Sequence, residues 1–130
     1  MLRTGPGARL PRRVDHGAAG YDLYACGDQS GRLIGTGVAM ASPHGWVGII
    51  KDRSGIALSG RAFTVAGVID SSYRGEIKIV FDRDIAVEDG ERIAQLVIVP
   101  HYAGAVTEAD ALPETGRGAG GFGSTGTKDP

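Results

Sequence analysis

The sequence has few of the residues that build disulfides, zinc sites and nucleic-acid interfaces. Its 130 residues include one cysteine and three histidines, and 14 Lys+Arg against 15 Asp+Glu give a formal net charge of −1. Cys26 alone cannot form a disulfide within the chain, and the spacing of His16, His44 and His101 does not match a zinc site. A chain without excess positive charge is also not expected to be a dedicated nucleic-acid binder.

Long hydrophobic runs are scarce as well. The longest uncharged stretch, 33–50, has nearly the length of a membrane span, but four glycines and a proline interrupt it. It therefore predicts two strands around a turn rather than a transmembrane helix. No charged segment followed by an apolar one opens the chain. We expect no membrane association and an intracellular, cytoplasmic location, or a nuclear one in a eukaryotic host or its virus.

Glycine and β-branched residues are what the chain has in abundance. Its 22 glycines separate short apolar runs, and ten Val and ten Ile against seven Leu favour strands over helices. This pattern predicts an all-β fold, either a closed barrel or a sandwich. The predicted strands are 21–25, 33–41, 46–51, 63–69, 75–82, 92–99 and 101–106. The one helix candidate runs from Ser54, as its cap, to Gly60, which would end it.

The two ends of the chain differ from the middle. Residues 1–17 contain four arginines, three glycines and two prolines, and we interpret them as a loose N-terminal arm. Residues 18–112 form the predicted β domain. Residues 113–130 lack a strand pattern and are rich in glycine, so we expect a mobile C-terminal arm that becomes ordered on a ligand or a neighbouring subunit.

The C-terminal arm carries the parts of a phosphate cradle. Arg117 is followed by closely spaced glycines and by Ser124 and Thr125, which together offer a guanidinium, backbone N–H groups and hydroxyls. A flexible linker would have a similar composition. Phe122 favours the cradle, because a lone aromatic residue among glycines indicates stacking on a flat partner such as a base.

Two further segments carry candidate chemistry. Arg53 and Ser54 lie at the N-terminus of the predicted helix, where free N–H groups can bind an anion; an ordinary cap with a surface arginine is the alternative. Asp70 and Tyr73 follow an apolar strand at a serine-rich turn. A carboxylate held there can deprotonate a water molecule, although aspartates are also common in turns without any such role.

Five segments, in order along the chain, resemble the five motifs of the homotrimeric dUTPase family. They are 19–25, 53–57, 67–76, 91–96 and 117–126. The resemblance implies a jelly-roll-like β subunit, a threefold trimer, and active sites assembled from three chains and closed by the C-terminal arm of a neighbour. It also implies hydrolysis of dUTP to dUMP and pyrophosphate by Mg²⁺-assisted attack of water on the α-phosphorus. That reaction limits uracil in DNA and supplies dUMP for thymidylate synthesis.

The resemblance assigns roles to individual residues. Asp70 matches the acid that activates water, and Tyr73 matches the aromatic residue that leaves no room for a 2'-hydroxyl. No direct protein ligand to Mg²⁺ is expected, because the substrate phosphates and water would hold the ion. The remaining assignments are phosphate contacts at Arg53, Ser54, Gly55 and Gln95, nucleoside contacts on a hairpin at Thr64, Val68, Ile69 and Lys78, the γ-phosphate contact at Arg117, stacking on uracil at Phe122, and phosphate cover at Gly123, Ser124 and Thr125.

Three residues depart from the usual family pattern, and two other functions compete. Asp52 stands where proline is common, Thr64 where asparagine is common and Ser72 where aspartate is common; we expect none of them to abolish activity. The alternatives are a dCTP deaminase-type relative and a dUTPase-fold protein that acts as a binding or regulatory module. The order of Asp70 and Tyr73 favours a dUTPase over the deaminase, and the presence of both Asp70 and the arm favours an enzyme over a binding module.

Overall fold

The computed structural model describes residues 1–128, which form eight strands and one short helix. The strands are β1 Leu2–Arg3, β2 Tyr21–Tyr24, β3 Gln29–Ala39, β4 Trp46–Lys51, β5 Thr64–Val65, β6 Val68–Ile69, β7 Glu76–Val87 and β8 Arg92–Pro100, and the helix is α1 Ser54–Ser59. The first sheet has the order β1-β3-β7-β5 and the second the order β2-β8-β4-β6, with every pairing antiparallel. The predicted all-β, jelly-roll-like class is confirmed.

The core lies between the two sheets. On β7, Ile77, Ile79 and Phe81 are buried and alternate with residues that reach solvent, as the period of two predicts. On β8, the adjacent Ile93 and Ala94 are both buried, so this part of the strand is covered on both faces. Burying each large apolar side chain contributes about 1.5–3 kcal/mol, so these two strands supply much of the stability.

The segment predicted as one strand, 63–69, is two strands in two different sheets. Thr64–Val65 pairs with β7 in the first sheet, and Val68–Ile69 pairs with β4 in the second. Between them Ala66 and Gly67 have φ values of 59° and 109°, and this left-handed pair turns the chain from one sheet to the other. A Cβ on Gly67 would lie 2.9 Å from Cβ of Ile50. The expected hairpin is therefore a crossover between sheets.

The structure also corrects the last predicted strand and the predicted helix cap. No strand covers 101–106: β8 ends at Pro100, and Tyr102 and Val106 are 84% and 98% exposed. Ser54 is not the helix cap. Arg53 occupies that position in an extended conformation without a side-chain cap, and Ser54 is the first helical residue. Gly60 ends the helix with φ 70°, as predicted.

The N-terminal arm differs from the loose segment expected. Its strand β1 pairs with Val38 and Ala39, Ala8 is buried, and Arg9 donates two hydrogen bonds to Asp89 at 3.0 and 3.1 Å. A strand of two residues and a single buried alanine do not produce a hydrophobic period that the sequence could reveal. The described residues contain no helix long and apolar enough to span a membrane.

An ion pair joins the end of helix α1 to the turn before β8. Arg61 follows the helix and donates hydrogen bonds to the Glu91 carboxylate and to the Ala86 carbonyl oxygen. The Arg61 guanidinium, and more weakly the backbone N–H of Glu88, holds the pKa of Glu91 below its ordinary value of 4.5. The pair therefore fixes α1 relative to the start of β8.

We predict that Glu91→Gln lowers the stability of the fold only above the Glu91 pKa. Because that pKa is lowered by folding, the stabilisation is present at neutral pH and is lost as the pH falls through the folded pKa, below 4.5. Both side chains are partly exposed, so the loss at pH 7 should be at most about 1 kcal/mol. Melting temperatures of the parent and the variant across this range test the prediction. If the difference in melting temperature between the two proteins stayed constant down to the lowest pH measured, the prediction would be contradicted.

Candidate functional site

The predicted phosphate contacts lie together at one end of the second sheet. Gln95 on β8 is opposite Asp22 on β2 and opposite Lys51 on β4, and Asp52 and Arg53 follow directly after Lys51. Arg53 is half-buried, and its Nε lies 3.1 Å from Oδ1 of Asp22. The strand register thus brings Arg53 and Gln95 to one place from positions 42 residues apart in the sequence.

A network of side chains fixes Arg53 and Gln95. Arg53 also donates from Nη1 to the carbonyl oxygen of Arg92 at 3.3 Å, and Arg92 in turn lies 3.4 Å from Oδ2 of Asp22. Gln95 Nε2 donates to the carbonyl oxygen of Asp52 at 2.8 Å. Asp22 is therefore the shared carboxylate of two arginines, which gives a structural role to a residue that motif reasoning left without one.

Gly20 and the start of helix α1 complete this group. A Cβ on Gly20 would collide with the side chain of Gln95, so any residue larger than glycine would displace that side chain. The first helical hydrogen bonds are donated by Ile56 and Ala57 to the Arg53 carbonyl oxygen. The N–H groups of Ser54 and Gly55 precede these bonds on an exposed surface, where they can contact an anion.

The predicted base and nucleoside contacts line a second place in the structure. A cavity of about 290 Å³ is bordered by Leu33, Val68, Ile69, Asp70, Tyr73, Glu76 and Lys78. Asp70 is exposed at this cavity, and Tyr73 donates its hydroxyl to the Glu76 carbonyl oxygen at 3.0 Å. The carboxylate of Glu76 accepts a hydrogen bond from the N–H of Gly37 at 2.8 Å and lies 3.8 Å from Nζ of Lys78. These contacts fix the position of Glu76 in the lining of the cavity.

The edge of β6 presents unused backbone groups beside this cavity. Ile50 donates to the carbonyl oxygen of Gly67 at 2.8 Å, so Gly67 faces β4. Successive residues of an antiparallel strand face opposite edges, and β6 is the outer strand of its sheet. The N–H and C=O of Val68 therefore point away from β4 and can pair with a planar donor and acceptor edge.

Thr64 lies outside the cavity, although motif reasoning grouped it with Val68 and Ile69. It is half-buried, and its N–H donates to Oδ1 of Asp52 at 2.6 Å. Asp52 therefore links the phosphate-contact group to β5: its carbonyl oxygen accepts a hydrogen bond from Gln95, and its carboxylate accepts one from the N–H at the start of β5. A proline at position 52 would offer no such carboxylate.

We predict that Asp52→Ala destabilises the protein more than Asp52→Asn does. Alanine leaves the half-buried N–H of Thr64 without its acceptor, which should lower the free energy of unfolding by about 1–3 kcal/mol. Asparagine keeps an acceptor oxygen and serves as the matched control. Urea unfolding of the three proteins measures the difference. Equal stability of the two variants would show that this hydrogen bond contributes nothing.

Within one chain the two groups lie at different levels of the second sheet. Ile69 is opposite Gly48, and Arg53 follows Gly48 by five residues, which is roughly 17 Å at 3.3 Å per residue. Asp70 continues in the opposite direction from Ile69, because β4 and β6 are antiparallel. The structure therefore brings each group together but leaves Asp70 and Arg53 apart.

The predicted arm contacts form a third group, exposed and separate from the other two. Arg117 donates from Nε to the carbonyl oxygen of Gly120 at 2.8 Å, and within residues 1–128 every hydrogen bond of 115–128 stays inside this segment. Phe122 is fully exposed and has a φ of 53°, which is unusual for a residue with a side chain. Gly123, Ser124 and Thr125 follow it on the surface. Residues 129 and 130 of the expected arm lie outside the described residues.

The carboxylates and other potential ligands of residues 1–128 do not form a metal centre of their own. No group of three or more histidine, cysteine, aspartate or glutamate side chains in this part of the chain is placed to hold a metal ion.

Comparison with known proteins identifies the family. The dUTPase family model matches residues 7–126. The deoxyuridine 5'-triphosphate nucleotidohydrolase of Hydrogenobaculum sp. is 43% identical, covering 93% of this chain and 92% of the relative. The protein of the same name from Desulfitobacterium hafniense is 45% identical, covering 96% and 92%. A mutant dUTPase of Staphylococcus bacteriophage 80alpha, solved with dUpNHpp, superposes with a TM-score of 0.89 at 27% identity, covering 97% of this chain and 96% of that one. The chain belongs to the dUTPase family.

Proposed function

We propose that this protein is a dUTP diphosphatase, which hydrolyses dUTP to dUMP and pyrophosphate. The observation that carries the proposal is the cavity beside β6, where an exposed carboxylate, an aromatic ring and an unpaired backbone edge converge. The relatives named deoxyuridine 5'-triphosphate nucleotidohydrolase, at 43–45% identity over nearly the whole chain, support the same activity. The activity would remove a precursor of uracil in DNA and supply dUMP inside the cell.

Uracil recognition is assigned to the backbone of β6. The outward N–H and C=O of Val68 can pair with the donor and acceptor edge of uracil, with Ile69 and Lys78 lining the same cavity. Cytosine presents the opposite pattern at that edge, and each group left unpaired costs about 1–3 kcal/mol. The ring of Tyr73, held by its hydrogen bond to Glu76, is assigned the role of excluding a 2'-hydroxyl.

The chemical step is assigned to Asp70. Its carboxylate accepts a proton from a water molecule while the water oxygen attacks the α-phosphorus, and pyrophosphate leaves. Arg53, the N–H groups of Ser54 and Gly55, and Gln95 would neutralise and orient the phosphates, which is the main requirement of phosphoryl transfer. When bound, Mg²⁺ would neutralise charge on the triphosphate, and it would be held by phosphate and water oxygens as Mg–dUTP.

We further propose that the site is shared within a homotrimer. The roughly 17 Å between Arg53 and the level of Ile69, at 3.3 Å per residue, supports this arrangement, because Asp70 and Arg53 of one chain lie toward opposite ends of β4. One chain would supply Asp70 and Tyr73, and a second would supply Arg53 and Gln95. The C-terminal arm of residues 113–130 would come from a neighbour, with Phe122 on uracil and Arg117, Gly123, Ser124 and Thr125 over the phosphates.

Pyrophosphate release from dUTP, dCTP, dTTP and UTP in the presence of Mg²⁺ tests the proposal. We expect turnover of dUTP and at least tenfold lower kcat/KM for each of the other nucleotides. Rapid turnover of UTP would contradict the role of Tyr73, and turnover of dCTP would contradict that of Val68. Binding of dUTP without release of pyrophosphate would overturn the proposed activity.

A further inference from the structure

The turn that carries Asp70 and Tyr73 belongs to neither sheet. Residues 70–75 connect β6 in the second sheet with β7 in the first. Strand pairing stops at Ile69 and resumes at Glu76, so the ladders of the two sheets do not fix the residues between them. Asp70 and Tyr73 both line the cavity beside β6. Their positions there depend on contacts within the turn.

The Arg74 guanidinium makes two of these contacts. Its Nη1 donates to the carbonyl oxygen of Ser71 at 2.6 Å and to that of Tyr73 at 3.0 Å. The N–H of Tyr73 donates in turn to the carbonyl oxygen of Asp70 at 3.1 Å. Hydrogen bonds from a charged donor are roughly twice as strong as neutral ones, so the arginine contributes more to the turn than this backbone bond does. One nitrogen atom therefore joins the two halves of the turn.

Arg74 has no other partner in the part of the chain that the structure describes. Within residues 1–128 it takes part in no ion pair, although it is exposed and follows Asp70 by only four residues. Ser72, which stands where aspartate is common, offers it no carboxylate. Arg74 is also not among the residues that line the cavity. Its side chain is thus used on the backbone of the turn.

The ring of Tyr73 is fixed from the other side by Glu76 and Gly75. The Tyr73 hydroxyl donates to the Glu76 carbonyl oxygen at 3.0 Å, and a Cβ on Gly75 would collide with that hydroxyl. Arg74 holds the backbone of Tyr73, and Glu76 holds the far end of its side chain. Loss of the Arg74 contacts would leave the ring attached at the hydroxyl alone.

We propose that Arg74 is a positioning residue for both Asp70 and Tyr73. The inference rests on the proposed function, which makes Asp70 the base and gives Tyr73 the role of excluding a 2'-hydroxyl. By binding the turn on both sides of Ser72, the guanidinium keeps the carboxylate directed at the attacking water and the ring against the sugar. A misplacement of about 1 Å at a reacting group can cost about 100-fold in rate, so both roles depend on this contact.

Arg74→Met tests the proposal, because methionine keeps a long unbranched side chain but has no donor. We expect kcat for dUTP to fall about 10- to 100-fold and KM to change less than about threefold, since other groups bind uracil and the phosphates. Arg83→Met is the matched control: Arg83 is an exposed arginine of β7 that pairs with Asp82 and does not line the cavity, and its loss should leave kcat unchanged.

Two results of this experiment would overturn the proposal. A parent kcat in Arg74→Met would show that the turn holds Asp70 without the arginine. A raised KM with an unchanged kcat would show that Arg74 binds the nucleotide itself.

Selectivity between dUTP and UTP separates positioning from a general loss of folded protein. A partly unfolded variant loses activity toward both nucleotides in the same proportion, so the ratio of their kcat/KM values stays constant. A loosened Tyr73 ring admits the 2'-hydroxyl, and Arg74→Met should lower the preference for dUTP by about threefold or more. An unchanged ratio would contradict the role of Arg74 toward Tyr73.

A double variant tests whether Arg74 acts through Asp70. Once Asp70→Asn has removed the base, the position of residue 70 no longer matters for proton transfer. Arg74→Met should therefore lower kcat by less than about twofold in the Asp70→Asn background. The same fold loss in both backgrounds would mean that Arg74 acts independently of Asp70, and would overturn the inference.

Backbone order parameters measured by NMR test the turn without any turnover. For the N–H groups of Ser71, Ser72 and Tyr73 we expect values near about 0.85 in the parent and below about 0.6 in Arg74→Met. Equal values in the two proteins would overturn the positioning role and leave dUTP hydrolysis unaffected. A parent with a rigid turn that releases no pyrophosphate from dUTP would overturn the proposed function instead.

Discussion

Asp70→Asn is expected to lower kcat for dUTP by about 10²- to 10⁴-fold, which is the usual contribution of a general base. Asparagine has nearly the same shape as aspartate but cannot accept the proton of the attacking water. Asp70 is exposed at the rim of its cavity and makes no ion pair within residues 1–128, so its replacement should leave the fold intact. KM should change little, because the uracil and phosphate contacts are made by other groups.

Asp84→Asn is the matched control for this variant. Asp84 is an exposed carboxylate on β7 that does not line the cavity, and its replacement should leave kcat at the parent value. Steady-state rates of pyrophosphate release give both numbers. An Asp70→Asn protein that keeps more than about a tenth of the parent kcat would show that another group activates the water.

Removal of residues 117–130 is expected to lower kcat/KM for dUTP by about 100-fold or more. The truncated chain loses the stacking of Phe122, about 1–3 kcal/mol, and a charge-assisted contact of Arg117, about 1.5–3 kcal/mol. The lower ends of these ranges add to about 2.5 kcal/mol, which corresponds to nearly two orders of magnitude.

The same truncation should not change the melting temperature. The hydrogen bonds of 115–128 remain inside that segment, and the side chain of Phe122 is fully exposed. The β domain therefore loses no packing when the segment is removed. If the truncated protein kept the kcat/KM of the parent, the arm would have no role in the site. A large fall in melting temperature would mean that the arm acts on the fold instead.

Strong local patterns allowed the sequence to predict the central strands. Alternation from Glu76 to Ile79 and the apolar run from Ile93 correspond to β7 and β8, and Gly60 ends the helix through its left-handed conformation. Strand β7 continues to Val87, although Asp82, Arg83 and Asp84 break the apolar pattern. These charges are tolerated there because Asp82 pairs with Arg83 and accepts a hydrogen bond from the N–H of Phe63.

Other features depend on contacts that no local pattern contains. Ala66 adopts a positive φ without being glycine or asparagine, so the division of 63–69 between two sheets has no sequence signature. The pairing of β1 with β3 depends on residues 35 and 37 positions apart. Motif resemblance grouped Arg53 with Gln95 by role, and the strand register shows how two segments distant in sequence come together.

The ion pairs of Asp22 and the hydrogen bonds of Asp52 could likewise not be predicted from the sequence. Asp22 binds two arginines from different segments, and Asp52 links Gln95 to Thr64. A carboxylate in a turn or next to a strand end is too common to indicate such partners. The structure explains the aspartate at position 52, where proline is common: its carboxylate accepts a hydrogen bond from the N–H of Thr64.

The most direct test of the shared site is restoration of activity by mixing two inactive variants. Asp70→Asn and Arg53→Gln chains, refolded together in equal amounts, should regain about one quarter of the parent activity, because each half of a shared site is intact with a probability of one half. Each variant refolded alone is the control. If Asp70 and Arg53 of the same chain formed each site, no mixed assembly would contain an intact site. Activity equal to the mean of the two separate variants would therefore contradict the account.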